Sequence, residues 1–261
     1  MKVALAQVRC STTNVSSNID KMVARIDEAA SQGCQVVLFP ELSDTGYDLE
    51  RIPDTTSAWT DEPMKRLRGT AASSRISVIA GVSERNRGKL YNSIAVIGPD
   101  GVPIGRYRKA HLFSMGQTTE DRVFAPGQTS TILEVSSVIF GISICYDLRF
   151  PELYRRLTVD GAKVLVNCAA WPEARWSHWE VLLRARAIEN QAFVIGVNRV
   201  GSDAGKVFAG RSCIVSPTGE IVALGDPVDE ELVVATIDLA AVDAFRNALP
   251  SLRGRRPEVY G

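Results

Sequence analysis

The apolar residues of this chain fall into short runs that alternate with stretches of helical spacing. Lys2 to Val8 (KVALAQV) and Gln35 to Phe39 (QVVLF) have the length and composition of strands. Between them Ile19, Met22, Val23, Ile26, Ala29 and Ala30 recur at the spacing of an amphipathic helix that stops at Gly33. A second helix is predicted over Asp61 to Arg75, then strands at Ser77 to Ser83 and Tyr91 to Ile97, the latter closing on the turn Gly98-Pro99-Asp100-Gly101. These two strands are expected to pair antiparallel. Val138 to Ile144 reads as a strand, and Pro151, with its fixed φ and missing N–H, suits the first turn of a short helix. Lys163 to Cys168 is a further strand, and the longer helix after it carries Leu182, Leu183 and Ala187 on one face, with Ser177 and Glu180 at capping-box spacing near its start. Strands at Ala192 to Val197, Arg211 to Val215 and Glu231 to Ile237, with a hairpin turn at Pro217-Thr218-Gly219, complete the pattern.

Strands alternating with helices and mixed with hairpins predict an α/β protein whose sheets are covered by helices. Runs such as VVLF, VIFGISI and KVLVN are apolar on both faces, as expected if two such sheets pack face to face. No repeat, linker or low-complexity segment interrupts the chain, and 261 residues with 45% hydrophobic content suffice for one sizeable core, so a single domain over 1–261 is expected.

Charge narrows the partner. Thirty Lys and Arg balance thirty Asp and Glu, which leaves no global field to attract nucleic acid or an anionic membrane, so the expected partner is a small molecule. The first residues, MKVALAQVRC, alternate apolar with polar and lack the apolar block of a secretory signal or a membrane span, which points to a cytoplasmic protein. The five cysteines (Cys10, Cys34, Cys145, Cys168, Cys213) are odd in number and form no CxxC pair, so neither a disulfide framework nor a zinc site is indicated. HExxH, Walker and GxGxxG patterns are absent, and no cofactor or metal is implied.

Three polar residues share one context: Glu41 follows VVLFP, Lys109 follows the extended GRYR segment, and Cys145 follows VIFGISI. Each stands where a strand should end, the place at which α/β sheets gather reactive groups. Cys145 lies between a strand and YDLRFPEL, on a predicted tight turn whose free N–H groups can lower a thiol pKa and offer an oxyanion donor at Tyr146. An inert buried cysteine fits the same context equally well. Glu41 can serve as a base if an apolar pocket raises its pKa, and Lys109 can hold a developing negative charge; taken singly, a solvated carboxylate and one more cation of RYRK are the plainer alternatives. His111 and His178 are the only histidines, and a Cys–His dyad is the competing constellation.

The segments FPE at Phe39 to Glu41, YRKAHLF at Tyr107 to Phe113 and ICYDLRFPEL at Ile144 to Leu153 resemble the nitrilase superfamily of carbon–nitrogen hydrolases. The likeness continues through HWEVLLRARAIENQAFVIGVNRVG from His178 and GRSCIVSPTGE from Gly210 to RRPEVY near the end, covering nearly the whole chain in order. It implies a four-layer α-β-β-α sandwich, a catalytic Glu41, Lys109 and Cys145, and a second glutamate, Glu120, ahead of Pro126-Gly127. It also implies a homodimer or higher homo-oligomer, with the tail from about residue 249 packing on a partner subunit. The CYDLRF sequence at the nucleophile, and NCAAWPEARWSHWE from Asn167, resemble the amidase branches, and most of all bacterial omega-amidase-like members.

The activity implied is hydrolysis of a small carboxamide through a thioester, as in the omega-amides succinamate and 2-oxoglutaramate. Nitriles or N-carbamoyl amino acids are alternatives within the superfamily, and a non-catalytic binding or regulatory module is an alternative outside enzymology. A substrate carboxylate would meet Arg149, Arg175 or Arg199, with Arg175 in the loop WPEARWS preferred. For Arg149 and Arg199 a structural ion pair, with Glu152, Glu173 or Glu189, is the better reading, while Trp171 and Trp176 could wall the pocket, with core packing an equal reading for Trp171.

Overall fold

The computed structural model describes residues 1–116, 118–203 and 205–260. In chain order the first half contains β1 (Lys2–Gln7), α1 (Val15–Ser31), β2 (Val36–Phe39), the single turn α2 (Ile52–Thr55), α3 (Glu62–Ser74), β3 (Ser77–Asn86), β4 (Lys89–Ile97) and β5 (Pro103–Arg108). Two short strands, β6 (Ser114–Met115) and β7 (Thr118–Thr119), lead into β8 (Thr131–Val135), β9 (Val138–Ile144), α4 (Pro151–Val159), β10 (Val164–Ala169), α5 (Trp176–Asn190) and β11 (Phe193–Asn198). The chain continues with a hairpin of β12 (Val200–Asp203) and β13 (Lys206–Ala209), then β14 (Cys213–Val215), β15 (Ile221–Leu224), β16 (Glu231–Thr236), α6 (Ala240–Ala248) and the turn α7 (Pro257–Tyr260).

Two six-stranded sheets form the centre, in the orders β16-β1-β2-β3-β4-β5 and β15-β14-β11-β10-β9-β8. The strands β1, β2 and β3 are parallel, as are β9, β10 and β11, whereas β3 and β4 pair antiparallel as expected. Side chains from the inner faces, among them Leu5, Leu38, Ile79, Phe140, Ile142 and Val166, bury one another between the sheets. The outer face of the first sheet, with Ala4, Ala6, Val37, Phe39 and Val78, is covered by Ile19, Met22 and Ile26 of α1 and Met64, Leu67 and Ala71 of α3. Tyr154 and Leu157 of α4 and Trp179, Leu183 and Ala187 of α5 cover the second. The result is the α-β-β-α sandwich, and it explains why central strands are apolar on both faces: each packs on a sheet and a helix layer.

Local signals hold with small shifts. Asn14 caps α1 by accepting from the Ser17 N–H at 2.9 Å, and Gly33 follows the helix end at φ +74°, a left-handed conformation that suits glycine. The Gly98–Gly101 turn is closed by the Gly101 N–H donating to the Gly98 carbonyl at 2.9 Å. One expectation is overturned. Ser177 does not cap α5, which begins a residue earlier at Trp176 with Arg175 as its N-cap and no side-chain capping bond. A 3-10 turn at Glu173–Arg175 leads directly into the helix, so Ser177 already lies inside it, and Glu180 accepts from Arg184 at 3.1 Å instead.

Candidate active site

The ends of β2, β5 and β9 deliver Glu41, Lys109 and Cys145 to one place between the two sheets. Lys109 is buried and its Nζ donates to Glu41 Oε1 at 2.7 Å and to Glu120 Oε1 at 2.9 Å. Glu41 is fully buried and also accepts from Asn92 Nδ2 at 2.7 Å and from the Ala170 N–H at 2.9 Å. Glu120, equally buried, accepts from the Tyr47 hydroxyl and from the Phe113 N–H at 2.9 Å. Glu41, Lys109 and Glu120 are the charges that act on the buried Cys145 thiol. All four residues expected at the site therefore meet, and each carboxylate has three or more donors, as buried charge requires.

Close packing of the backbone sets this geometry. A Cβ built on Gly81 of β3 would lie 2.2 Å from the Pro40 carbonyl oxygen and 2.7 Å from the Glu41 Cα, so only glycine lets β3 run this close to Glu41. Gly127 serves Lys109 in the same way: its Cβ would fall 2.1 Å from the Arg108 carbonyl oxygen, and its N–H donates to the Lys109 carbonyl at 2.8 Å.

Cys145 occupies the left-handed region at φ 43°, an unusual conformation for a side-chain-bearing residue, costing on the order of 1 kcal/mol. Asp147 holds this turn: it accepts from the Ile144 N–H at 2.9 Å and Tyr107 Oη at 2.8 Å, and from the His111 N–H at 3.0 Å. The Cys145–Arg149 segment is a 3-10 turn, and the Tyr146 N–H sits in its first residues, where a helical N–H lacks an internal acceptor.

Electrostatics correct one expectation. The turn does not lower the Cys145 pKa; burial raises it well above the ordinary thiol value, Glu41 raises it further, and Lys109 only partly opposes them. The resting group is thus a thiol rather than a thiolate. Burial pulls the Lys109 ammonium down, but the carboxylates of Glu120 and Glu41 outweigh it and hold the pKa well above the usual lysine value. Burial raises Glu120, against the lowering pull of Lys109.

The histidines stand elsewhere. His111 Nδ1 lies 2.7 Å from Asp147 Oδ1 and its ring stacks on Phe150 at 3.6 Å, while His178 Nδ1 lies 3.3 Å from Arg149 Nη2. His111 thus braces the nucleophile turn rather than pairing with the thiol.

Cys145 lies at the wall of a cavity of about 750 Å³ lined also by Tyr146, Arg149, Trp171, Arg175 and Trp176. Trp171 serves as both wall and core, being buried with its ring 5.5 Å from Trp179 while its Nε1 donates to the Arg175 carbonyl at 2.8 Å. Arg149 and Arg175 reach the cavity with their guanidinium groups over the Trp171 ring at 4.9 Å and the Phe113 ring at 5.6 Å. Arg199 does not: it pairs with Asp203 and donates to the Cys10 carbonyl at 3.1 Å. None of the expected partners Glu152, Glu173 and Glu189 takes Arg149 or Arg199, and Glu189 bonds Arg186 at 2.9 Å.

Sequence reading missed Tyr47, Asn92 and Asp147. Asn92 shows as a polar residue inside the apolar LYNSIAVI, and Asp147 is adjacent to the nucleophile in CYDLRF, but nothing local marks Tyr47 in SDTGYD as a partner of Glu120. Among the described residues no group of three or more His, Cys, Asp or Glu side chains could hold a metal ion, and no helix is long and apolar enough to cross a membrane.

A buried thiol under the charges of a carboxylate and the lysine paired with it, at the wall of a cavity, defines a hydrolase-type cysteine site. Residues 2–247 match the carbon-nitrogen hydrolase family, and the chain belongs to that family. It is 33% identical to the omega-amidase NIT2 of Homo sapiens over 267 residues, covering 99% of this chain and 96% of that protein. It is 37% identical to the 2-oxoglutaramate amidase of Bacillus subtilis (strain 168) over 246 residues, covering 94% and 93%. Among solved structures, a mutant of the amidase from Nesterenkonia sp. AN1, of the nitrilase superfamily, superposes with a TM-score of 0.88 at 27% identity, covering 100% of this chain and 95% of that one. That structure carries the acetamide moiety of fluoroacetamide added covalently at its active-site cysteine.

Proposed function

We propose that the protein hydrolyses the terminal amide of a short dicarboxylic monoamide, such as succinamate or 2-oxoglutaramate, to the acid and ammonia. The observation that carries this reading is the buried Cys145 thiol under the charges of Glu41 and Lys109, themselves paired at 2.7 Å, in a chain of the carbon-nitrogen hydrolase family. The names of its relatives and the covalent acetamide adduct on the amidase cysteine support it.

Because the thiol rests protonated, Glu41 takes the Sγ proton as sulfur attacks the amide carbon. The oxyanion that forms meets the Lys109 ammonium and the Tyr146 N–H. Protonated Glu41 then passes its proton to the amide nitrogen, the C–N bond breaks, ammonia leaves and a Cys145 thioester remains. Water enters, Glu41 removes its proton as oxygen attacks, and collapse releases the acid while Cys145 regains its proton. Glu120 positions Lys109 and the substrate amide throughout. No step calls on a cofactor.

Ammonia release from succinamate and 2-oxoglutaramate, set against glutamine, a simple nitrile and an N-carbamoyl amino acid, tests the substrate class. Mass spectrometry should find an acyl adduct on the peptide containing Cys145, absent in Cys145→Ala. Ammonia release by Cys145→Ala at the wild-type rate would end the proposal, and no release from any compound would favour a binding module. Five cysteines without a disulfide suit the cytoplasm. The exposed Leu249, Val259 and Tyr260 of the C-terminal tail suit contact with a second copy in a homodimer, which light scattering on the full chain and on a chain ending at Leu249 would test.

A further inference from the structure

Part of the cavity wall is built by a feature that carried no sequence motif, the β12–β13 hairpin. Val200 pairs with Ala209 and Asp203 with Lys206, and the hairpin is seated on the WPEARW loop by a bridge between Pro172 and Phe208 and by the Ala209 N–H donating to the Trp171 carbonyl at 3.0 Å. Its first residue on the return strand, Lys206, is half-buried and lines the cavity together with Arg175 and Arg149. The lining carries one acidic side chain, Glu173, against these three cations. Among the described residues no carboxylate comes within 4.0 Å of any of the three, although most other cations near the site are paired: Lys109 with Glu41 and Glu120, Arg199 with Asp203, Arg186 with Glu189.

We propose that Lys206, with Arg175 beside it, is the specificity-determining anion site of this cavity and binds the carboxylate at the end of the substrate remote from the scissile amide. The inference rests on the amide-hydrolase reading above and names the substrate class for that site. Lys206 is half-buried and Arg175 exposed, and neither has a carboxylate within salt-bridge distance among the described residues, so a bound carboxylate would gain charge-assisted hydrogen bonds and offset the cost of burying the Lys206 ammonium. Burial pulls the Lys206 pKa down, Glu120 and Asp48 oppose it, and Arg175 adds to the lowering, so a bound carboxylate would favour the charged ammonium.

Position favours Lys206 for length discrimination. Its Nζ stands 5.1 Å from the centroid of the Tyr47 ring, and the hydroxyl of that ring bonds Glu120, which in turn bonds Lys109. The ammonium is thus one phenol ring removed from the reacting end, a separation suited to a short dicarboxylic chain. Arg149 is held differently, over Trp171 and beside His178.

Two measurements on the full chain test this. The first is the ratio of kcat/KM for succinamate over butyramide, its neutral analogue, in wild type, Lys206→Met and Lys206→Arg. The ratio should fall at least tenfold in Lys206→Met, mostly through KM for succinamate, and return at least in part in Lys206→Arg. The second is equilibrium binding of glutarate by calorimetry, with affinity at least tenfold weaker in Lys206→Met. A ratio and a glutarate affinity that both stay at wild-type values in Lys206→Met would overturn the assignment. If wild type releases ammonia from neither amide, the amidase reading falls, and the glutarate arm still decides the anion site.

Discussion

His111 Nδ1 and Asp147 Oδ1 lie 2.7 Å apart, and the same carboxylate oxygen accepts from the His111 backbone N–H at 3.0 Å. Through its second oxygen Asp147 holds the Ile144 N–H, so the strand end that presents Cys145 and the loop that follows Lys109 are tied by one carboxylate. The histidine nearest Lys109 in sequence therefore acts as a brace. His111→Asn should lower kcat less than about tenfold, whereas Glu41→Gln should lower it by about a thousandfold or more, because the first loses positioning and the second the proton acceptor. Steady-state assays of both variants on one amide check this; a dead His111→Asn with an active Glu41→Gln would restore the dyad.

The Cys145 thiol should resist ionisation. Burial and the Glu41 charge raise its pKa, so in wild type no thiolate absorbance attributable to Cys145 should develop below about pH 9. Removing the negative charge in Glu41→Gln should move ionisation to lower pH while abolishing turnover. Ultraviolet titration of each variant against its Cys145→Ala counterpart reads the difference. A thiolate in wild type at pH 7 would show that the nucleophile is preformed and needs no base.

Gly81 should tolerate no side chain. A Cβ there would have to displace Pro40 and Glu41 backbone, and Ser43, whose N–H donates to the Gly81 carbonyl at 2.8 Å, moves with them. Gly81→Ala should cost about 1 to 3 kcal/mol of stability and reduce kcat at least tenfold in the fraction that remains folded. Chemical denaturation and active-site titration with an alkylating amide separate the two effects.

Asp44 gives the stability a pH signature. It is buried, accepts from the Ser83 N–H at 2.9 Å and Ser83 Oγ at 2.7 Å, and burial raises its pKa to about 6 despite those bonds. A raised folded-state pKa means the folded protein holds this proton more tightly than the unfolded chain. The stabilisation is full below the unfolded value, about 4, and is lost as pH rises through about 6, amounting to roughly 3 kcal/mol. Asp44→Asn removes the charge, and Ser83 Oγ can turn to accept from the new amide. Urea midpoints at pH 4.5 and pH 7.5 should differ less in Asp44→Asn than in wild type; equal differences would show that Asp44 does not titrate in this window.

The sequence by itself determined most of the central strands, the helices α1, α3, α4 and α5, and the positions of Glu41, Lys109 and Cys145 at strand ends, because hydrophobic period and turn residues are local properties; β8, the β12–β13 hairpin and α6 carried no such signal. Runs apolar on both faces, such as VIFGISI, also indicated strands buried on two sides, as stacked sheets covered by helices require. The start of α5 escaped this reading, because Ser177 and Glu180 match a capping box locally while the preceding turn at Glu173–Arg175 decides where the helix begins. Partnership across the fold was decided only by tertiary structure. Tyr47 meets Glu120 across 73 positions and Ala170 meets Glu41 across 129, distances over which no local pattern operates. The ionisation of Cys145 likewise follows from depth and from Glu41 on the facing sheet, so a turn that would lower a thiol pKa in isolation holds a protonated one here.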